Sequence, residues 1–234
     1  TIFENAFAES SEAFAKSKDL RNLATGKQIL KASNQNIGNQ ILINQGQQLS
    51  NFDINILKSS IATVRIGNGH GSAFFVGNSG HLLTNAHVVG ESKKIQIITS
   101  SGMEIQGEVL RKNKFRDIAL LKVPMRIMNN IFINLNEPKI TDEVFAVGTP
   151  INESLKTTVT KGIISNFRND KASNLRFIQS DASISPGNSG GPLFDKKGNV
   201  IGISVAKYVG NQSEGLGLFI PIKDALKAIN LKIK

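Results

Sequence analysis

The chain has 234 residues, with 40% hydrophobic content, 28 basic against 18 acidic residues, a net charge of +10 and no cysteine. That length and apolar content suit one two-barrel unit or a moderate domain with an extension, and the missing cysteines exclude disulfides and thiolate metal sites. No stretch approaches the length of a membrane-spanning helix. The basic residues are spread in short groups (Lys93-Lys94, Arg111 to Arg116, Lys196-Lys197, Lys232 to Lys234) with no aromatic interleaving, which reads as a solvated surface rather than a nucleic-acid face. Thr1 rather than Met at the first position points to a processed or trimmed product.

Residues 1–52 differ in texture, rich in Asn, Gln, Ser and Ala. Phe3, Phe7 and Phe14 have helix-compatible spacing, and Leu23, Leu30 and Ile37 repeat every seven, with Leu20 and Ile41 on the same stripe. Gly26, Gly38 and Gly46 weaken that helix by about 1 kcal/mol each. The segment reads either as an assembly, tethering or regulatory element or as a helix packed outside the main body or a partly ordered tail. Asp53 can cap a short helix through Leu57. Strands then follow in quick succession: Ser60 to Ile66, Gly71 to Gly77, His81 to Thr84, Lys94 to Thr99, Met103 to Leu110 and Asp117 to Val123. The second half repeats the style with Glu143 to Pro150, Thr157 to Ile164, Phe177 to Ser180, Leu193-Phe194, Val200 to Val205 and Leu216 to Ile220. A polar loop, Asn166 to Asn174, separates two of these. Pro221 ends the last strand, and Ile222 to Leu231 has the spacing of a final helix. Many short strands with regular turn signals make the chain all-β.

Three motifs carry chemistry. Ser189 lies in Pro186-Gly187-Asn188-Ser189-Gly190-Gly191, a glycine-rich loop able to bend sharply. Such a bend lets the N–H groups of Gly187 and Ser189, with Asn188 between them, polarise a carbonyl while the Ser189 hydroxyl attacks it. His87 ends the apolar run Leu82 to Val89, and Asp117 opens Asp117-Ile118-Ala119-Leu120-Leu121. The order His, Asp, Ser is that of chymotrypsin-type triads. His70 and His81 lie in or beside turns and read as exposed, with no flanking carboxylate pattern for a metal. No cofactor is expected.

TNAHVV, DIALLKV and GNSGGPLF, led by IQSDASISPGNSGG and followed by VIGIS, resemble the protease domain of the bacterial HtrA (Deg) family from about Ile61 to Ile229. The resemblance implies two six-stranded antiparallel β-barrels of the chymotrypsin/trypsin-like kind, a C-terminal helix after them and residues 1–52 as an N-terminal helical extension. Barrel one would span about 58–125, barrel two about 140–222 and the final helix 222–231, within a protease domain of 53–234. It implies a serine endopeptidase of protein quality control acting on unfolded or flexible polypeptides, exported to the periplasm or secreted, with His87 as base, Asp117 orienting it and Ser189 as nucleophile. In that family the N-terminal segment often mediates trimer formation, but residues 1–52 carry no motif that transfers the role residue by residue. Most members also carry a PDZ domain after the protease domain, whereas this chain ends soon after the final helix.

By the same resemblance Ser183, six residues before the nucleophile, takes the floor of the specificity pocket. Ser204-Val205-Ala206 forms a wall that pairs with substrate backbone, and Leu216 narrows the space. Asp181 matches the aspartate of the family's SDA segment and is not read as a specificity acid. With no acid on the floor, small or medium aliphatic side chains are expected at the cleaved position, with loose selectivity. Two other readings stay open: a dedicated processing protease with one partner, and a catalytically silent binding protein on the same fold.

Overall fold

The computed structural model describes residues 38–49, 52–67, 69–127, 131–149, 157–171, 173–185, 187–207 and 216–234. The elements run β1 (Ile41–Ile43), α1 (Ile54–Ser59), β2 (Ile61–Ile66), β3 (Gly69–Val76), β4 (His81–Thr84), α2 (Ala86–Val89), β5 (Lys94–Thr99), β6 (Glu104–Asn113) and β7 (Ile118–Lys122) in the first half. The second half holds β8 (Glu143–Gly148), β9 (Thr158–Asp170), β10 (Leu175–Ser180), β11 (Pro192–Asp195), β12 (Val200–Lys207), β13 (Gly217–Pro221), α3 (Ile222–Ala228) and β14 (Leu231–Ile233). β2-β3-β4-β7-β6-β5 close one six-stranded barrel, and β10-β13-β12-β11-β8-β9 close a second. All pairings within the two barrels are antiparallel. The fold is the all-β double barrel.

The apolar runs of the first half lack a clean alternation because several strands are buried on both faces. In β3, Ala73 and Phe75 point into barrel one, while Phe74 and Val76 point into a separate cluster at the seam with barrel two. Leu82 and Leu83 of β4 divide in the same way, as do Ala119 and Leu121 against Ile118 and Leu120 of β7. Phe194, Val200, Ile203 and Ile220 reach the seam from the other side. The seam is therefore a core in its own right, and it fixes how the barrels face each other. β4 and β7 are antiparallel neighbours with Thr84 opposite Ala119. The end of β4 and the start of β7 thus lie at the same rim, where α2 follows with His87 and Asp117 immediately precedes β7.

Four expectations change. Ile41, counted on a helical stripe, lies in strand β1, which runs parallel to β14 with Ile41 opposite Leu231; the rest of that stripe falls at residues 1–37, outside the described residues. The expected final helix stops at Ala228, where Asn230 with φ of 50° turns the chain into β14. The polar stretch Asn166 to Asn174 is mostly strand: Leu175 pairs with Asp170 and Phe177 with Arg168, leaving only a tight turn held by Asp170 and Ser173. Its polarity misleads because this part of the hairpin is exposed or half-buried, stabilised by the Arg176 guanidinium 4.3 Å from the Phe167 ring centroid. His70 and His81 are half-buried rather than exposed. Burial, with Lys122 opposite, lowers the His81 pKa to about 4.

Candidate active site

His87 sits in α2, a single turn that follows β4. Its N-cap Asn85 does not cap the helix with its side chain; Asn85 Nδ2 donates instead to the Asp117 carbonyl at 3.0 Å. Asp117 precedes β7 and holds φ of 62°, a left-handed backbone that few non-glycine residues adopt. That twist turns its carboxylate back toward α2. Oδ1 accepts the His87 backbone N–H at 2.9 Å, and Oδ2 lies 2.8 Å from His87 Nδ1. A carboxylate only accepts, so the contact assigns the ring proton to Nδ1 and makes Nε2 the lone-pair nitrogen. Two bonds to one carboxylate fix both the tautomer and the ring orientation.

Ser189 comes from barrel two, on the loop leading into β11. Barrel one clamps that loop: Ser72 N–H donates to the Ser189 carbonyl at 2.8 Å and Ser72 Oγ to the Gly187 carbonyl at 2.6 Å. Barrel two clamps it from the other side, with Gly190 N–H donating to Ser204 O at 2.9 Å and Ser204 N–H to Gly191 O at 2.8 Å. The close approach requires glycine at 190, where φ is 85° and an added Cβ would stand 2.2 Å from Ser72 O and 2.3 Å from Thr84 Oγ1. The Ser189 hydroxyl donates to the Val205 carbonyl at 3.0 Å. Val205 is skipped in the β12–β13 register, where Ser204 pairs with Phe219 and Ala206 with Leu218, so its carbonyl stands outside that ladder.

Asn188 N–H is spent on Ser185 O at 3.0 Å, and its buried side chain lies against Gly148, so its N–H is not available to a ligand. Among the described residues, no hydrogen bond occupies the N–H of Gly187 or of Ser189. Ser204 is buried and both its backbone groups hold the Ser189 loop, so it positions that loop rather than offering an edge. Ser183 is exposed, with its carbonyl held by Thr160 Oγ1 at 2.8 Å. Leu216 is half-buried ahead of β13. Asp181 is exposed, and its Oδ1 accepts the backbone N–H of Ile163 at 2.7 Å.

The sequence reading missed Ser72, Asn85 and Arg116. Asn85 stands inside the TNAHVV motif, and only its folded partner reveals its task. Arg116, which the sequence places among the solvated bases, is 4% exposed. Burial lowers its pKa to about 10, opposed by the nearby Asp224 and Asp117 charges, so it stays cationic at neutral pH.

Residues 71–203 match the family described as "Trypsin-like peptidase domain". The chain is 31% identical over 169 residues to "Serine protease Do-like HtrA" of Lactococcus lactis, covering 66% of this chain and 41% of that protein. It is 36% identical over 166 residues to "Probable periplasmic serine endoprotease DegP-like" of Pseudomonas putida, covering 68% of this chain and 34% of that protein. The chain thus spans about two fifths or less of these two relatives. Among solved structures, "HtrA-type protease AlgW with tripeptide" is similar with a TM-score of 0.68 and 33% identity, over 74% of this chain and 60% of that one.

Proposed function

The chain belongs to the trypsin-like peptidase family and is similar to its HtrA-type members, and on that premise we propose that it is a serine endopeptidase that cleaves unfolded or flexible polypeptides. In this reading the Ser189 hydroxyl turns from Val205 O to His87 Nε2, gives up its proton there and attacks the scissile carbonyl. The N–H groups of Gly187 and Ser189 receive the oxyanion. His87 then delivers the proton to the leaving amine, and a water activated by the same nitrogen releases the acyl group. Asp117 holds the ring and stabilises the imidazolium without taking the proton.

The observation that carries the proposal is the double contact of Asp117 with His87, at 2.9 and 2.8 Å. A histidine whose tautomer is assigned by a carboxylate, on the barrel that also clamps the Ser189 loop, has the arrangement a base needs. Substrate would lie extended along β12, its backbone meeting Val205 and Ala206. Ser183 and Leu216 line the pocket for the residue before the cleaved bond. With serine rather than an acid at position 183, this reading prefers small or medium aliphatic residues there. The same reading exports the protein, as the word "periplasmic" does in the Pseudomonas relative's name, and assembles it as a homotrimer. Digestion of an unstructured protein, with the cut sites sequenced, tests this. Cleavage after Val, Ala or Ile that disappears in Ser189→Ala is expected. Absence of cleavage, or cleavage that persists in the variant, would contradict it.

A further inference from the structure

We infer that Arg116 is a positioning residue for Asp117, holding the strained turn that aims the carboxylate at His87; the inference rests on the triad reading above. Arg116 immediately precedes Asp117, yet its side chain leaves barrel one altogether. One guanidinium nitrogen donates to the Arg176 carbonyl of β10 and lies 3.4 Å from Asp224 Oδ2 of α3. The guanidinium carbon sits 4.8 Å from the centroid of the Phe177 ring. Its other two nitrogens are buried with no hydrogen-bond partner among the described residues.

A buried cation with orphaned donors is an expensive way to fill space; an apolar side chain of similar volume would cost less. What this one achieves is geometric. Asp117 at φ of 62° stores backbone strain that persists only where the surroundings over-determine it. Three anchors meet at that point. Asn113 Oδ1 accepts the Arg116 backbone N–H at 2.8 Å, Asn85 Nδ2 holds the Asp117 carbonyl at 3.0 Å, and the Arg116 side chain ties the turn to barrel two.

The platform it grips is itself fixed to barrel one. Arg111 donates to the carbonyls of Ile229 at 2.8 Å and Asn230 at 3.1 Å, and Asn113 Nδ2 donates to Ala228 O at 3.0 Å. The bonds to Ala228 O and Ile229 O satisfy carbonyls that the C-terminal end of α3 leaves without a helical partner, and Asn230 O, just beyond it, also accepts the Ile41 N–H. α3 therefore cannot drift away from the turn, and the guanidinium connects two fixed bodies across the peptide that carries the carboxylate.

The test compares the wild type with Arg116→Met and Arg116→Lys by three measurements: thermal melting, kcat and KM on a fluorogenic peptide, and the low-field proton resonance of His87 Nδ1–H in a Ser189→Ala background. Loss of alignment by about 1 Å lowers kcat by about 10–100-fold while KM stays within about threefold. The resonance, present in the reference protein, broadens into solvent exchange in Arg116→Met. A purely structural role lowers the melting temperature and leaves kcat and the resonance of the folded protein unchanged, which would overturn the inference. Should Arg116→Met fail to melt cooperatively, Arg116→Lys carries the same decision. Lysine keeps the charge but cannot bond Arg176 O and Asp224 while stacking on Phe177, so a several-fold loss of kcat is expected and wild-type behaviour refutes the claim. If the wild type hydrolyses no peptide, the protease reading fails, while the resonance still decides whether Arg116 positions Asp117.

Discussion

Gly190→Ala puts the clamp between the two barrels under direct test. A Cβ at this position would stand 2.2 Å from Ser72 O, 2.3 Å from Thr84 Oγ1 and 3.1 Å from Asn85 N. Ser72 O cannot retreat, because it accepts the Thr84 hydroxyl at 2.7 Å and Ser72 is paired with Thr63 in the β2–β3 ladder. The Ser189 loop must therefore lift by about 1 Å to restore van der Waals contact. Lifting it breaks the bonds from Ser72 to the Ser189 and Gly187 carbonyls. Two such bonds contribute about 0.5–1.5 kcal/mol each, and alanine in a left-handed backbone costs about 1–2 kcal/mol more. The sum, about 2–5 kcal/mol, lowers the melting temperature by roughly 5–20 °C for a chain of this size. The displaced hydroxyl should react with a phosphonate about 10²-fold more slowly. Gly102→Ala is the control: φ is also 85°, but nothing lies within 4 Å. It carries only the backbone cost and keeps the wild-type labelling rate. If Gly190→Ala matched Gly102→Ala in both melting and labelling, the clamp would have no energetic content.

Asp117→Asn keeps the fold, since asparagine tolerates a left-handed backbone, but it allows the imidazole the wrong tautomer; kcat should fall about 10⁴-fold with little change in melting, and a fall below tenfold would remove Asp117 from the mechanism. Gln45→Ala strips both partners from the buried backbone of Ile133, which bonds Gln45 at 2.9 and 3.1 Å; melting should drop by roughly 2–12 °C with peptide turnover at 25 °C unaltered, and an unchanged melt would contradict a stabilising role for these two bonds. His81, with its pKa lowered from 6.5 to about 4, takes up its proton more readily in the unfolded chain. Its contribution to stability is full above pH 6.5 and is lost as pH falls toward 4. The wild-type melting temperature should therefore fall relative to His81→Gln across that window, and parallel curves would refute the assignment.

The all-β class was legible because short apolar runs and turn signals are local patterns, whereas the double barrel came through the resemblance of three motifs; the same motifs single out His87, Asp117 and Ser189, on which the proposed triad rests. What was illegible depends on distant partners. KNKFRD reads as a solvated basic stretch, and nothing local shows that Arg116 turns under Phe177 while Lys114 and Phe115 stay exposed. Ser72 is one small residue in an apolar strand, and its role appears only when Gly187, 115 residues later, comes within 2.6 Å. The pairing of β1 with β14 joins two three-residue strands, each too short to declare a period. The bond from Ser189 to Val205 needs a register shift in β12 that alternation does not announce.

Labelling with a fluorophosphonate at neutral pH, followed by mass-spectrometric location of the adduct, tests the central claim most directly. Wild type, Ser189→Ala and His87→Ala are compared. One adduct per chain on Ser189, absent from the first variant and strongly slowed in the second, is the predicted result. An intact, folded protein that takes no label, or takes it on another residue, would contradict the account and leave a binding protein on a peptidase fold.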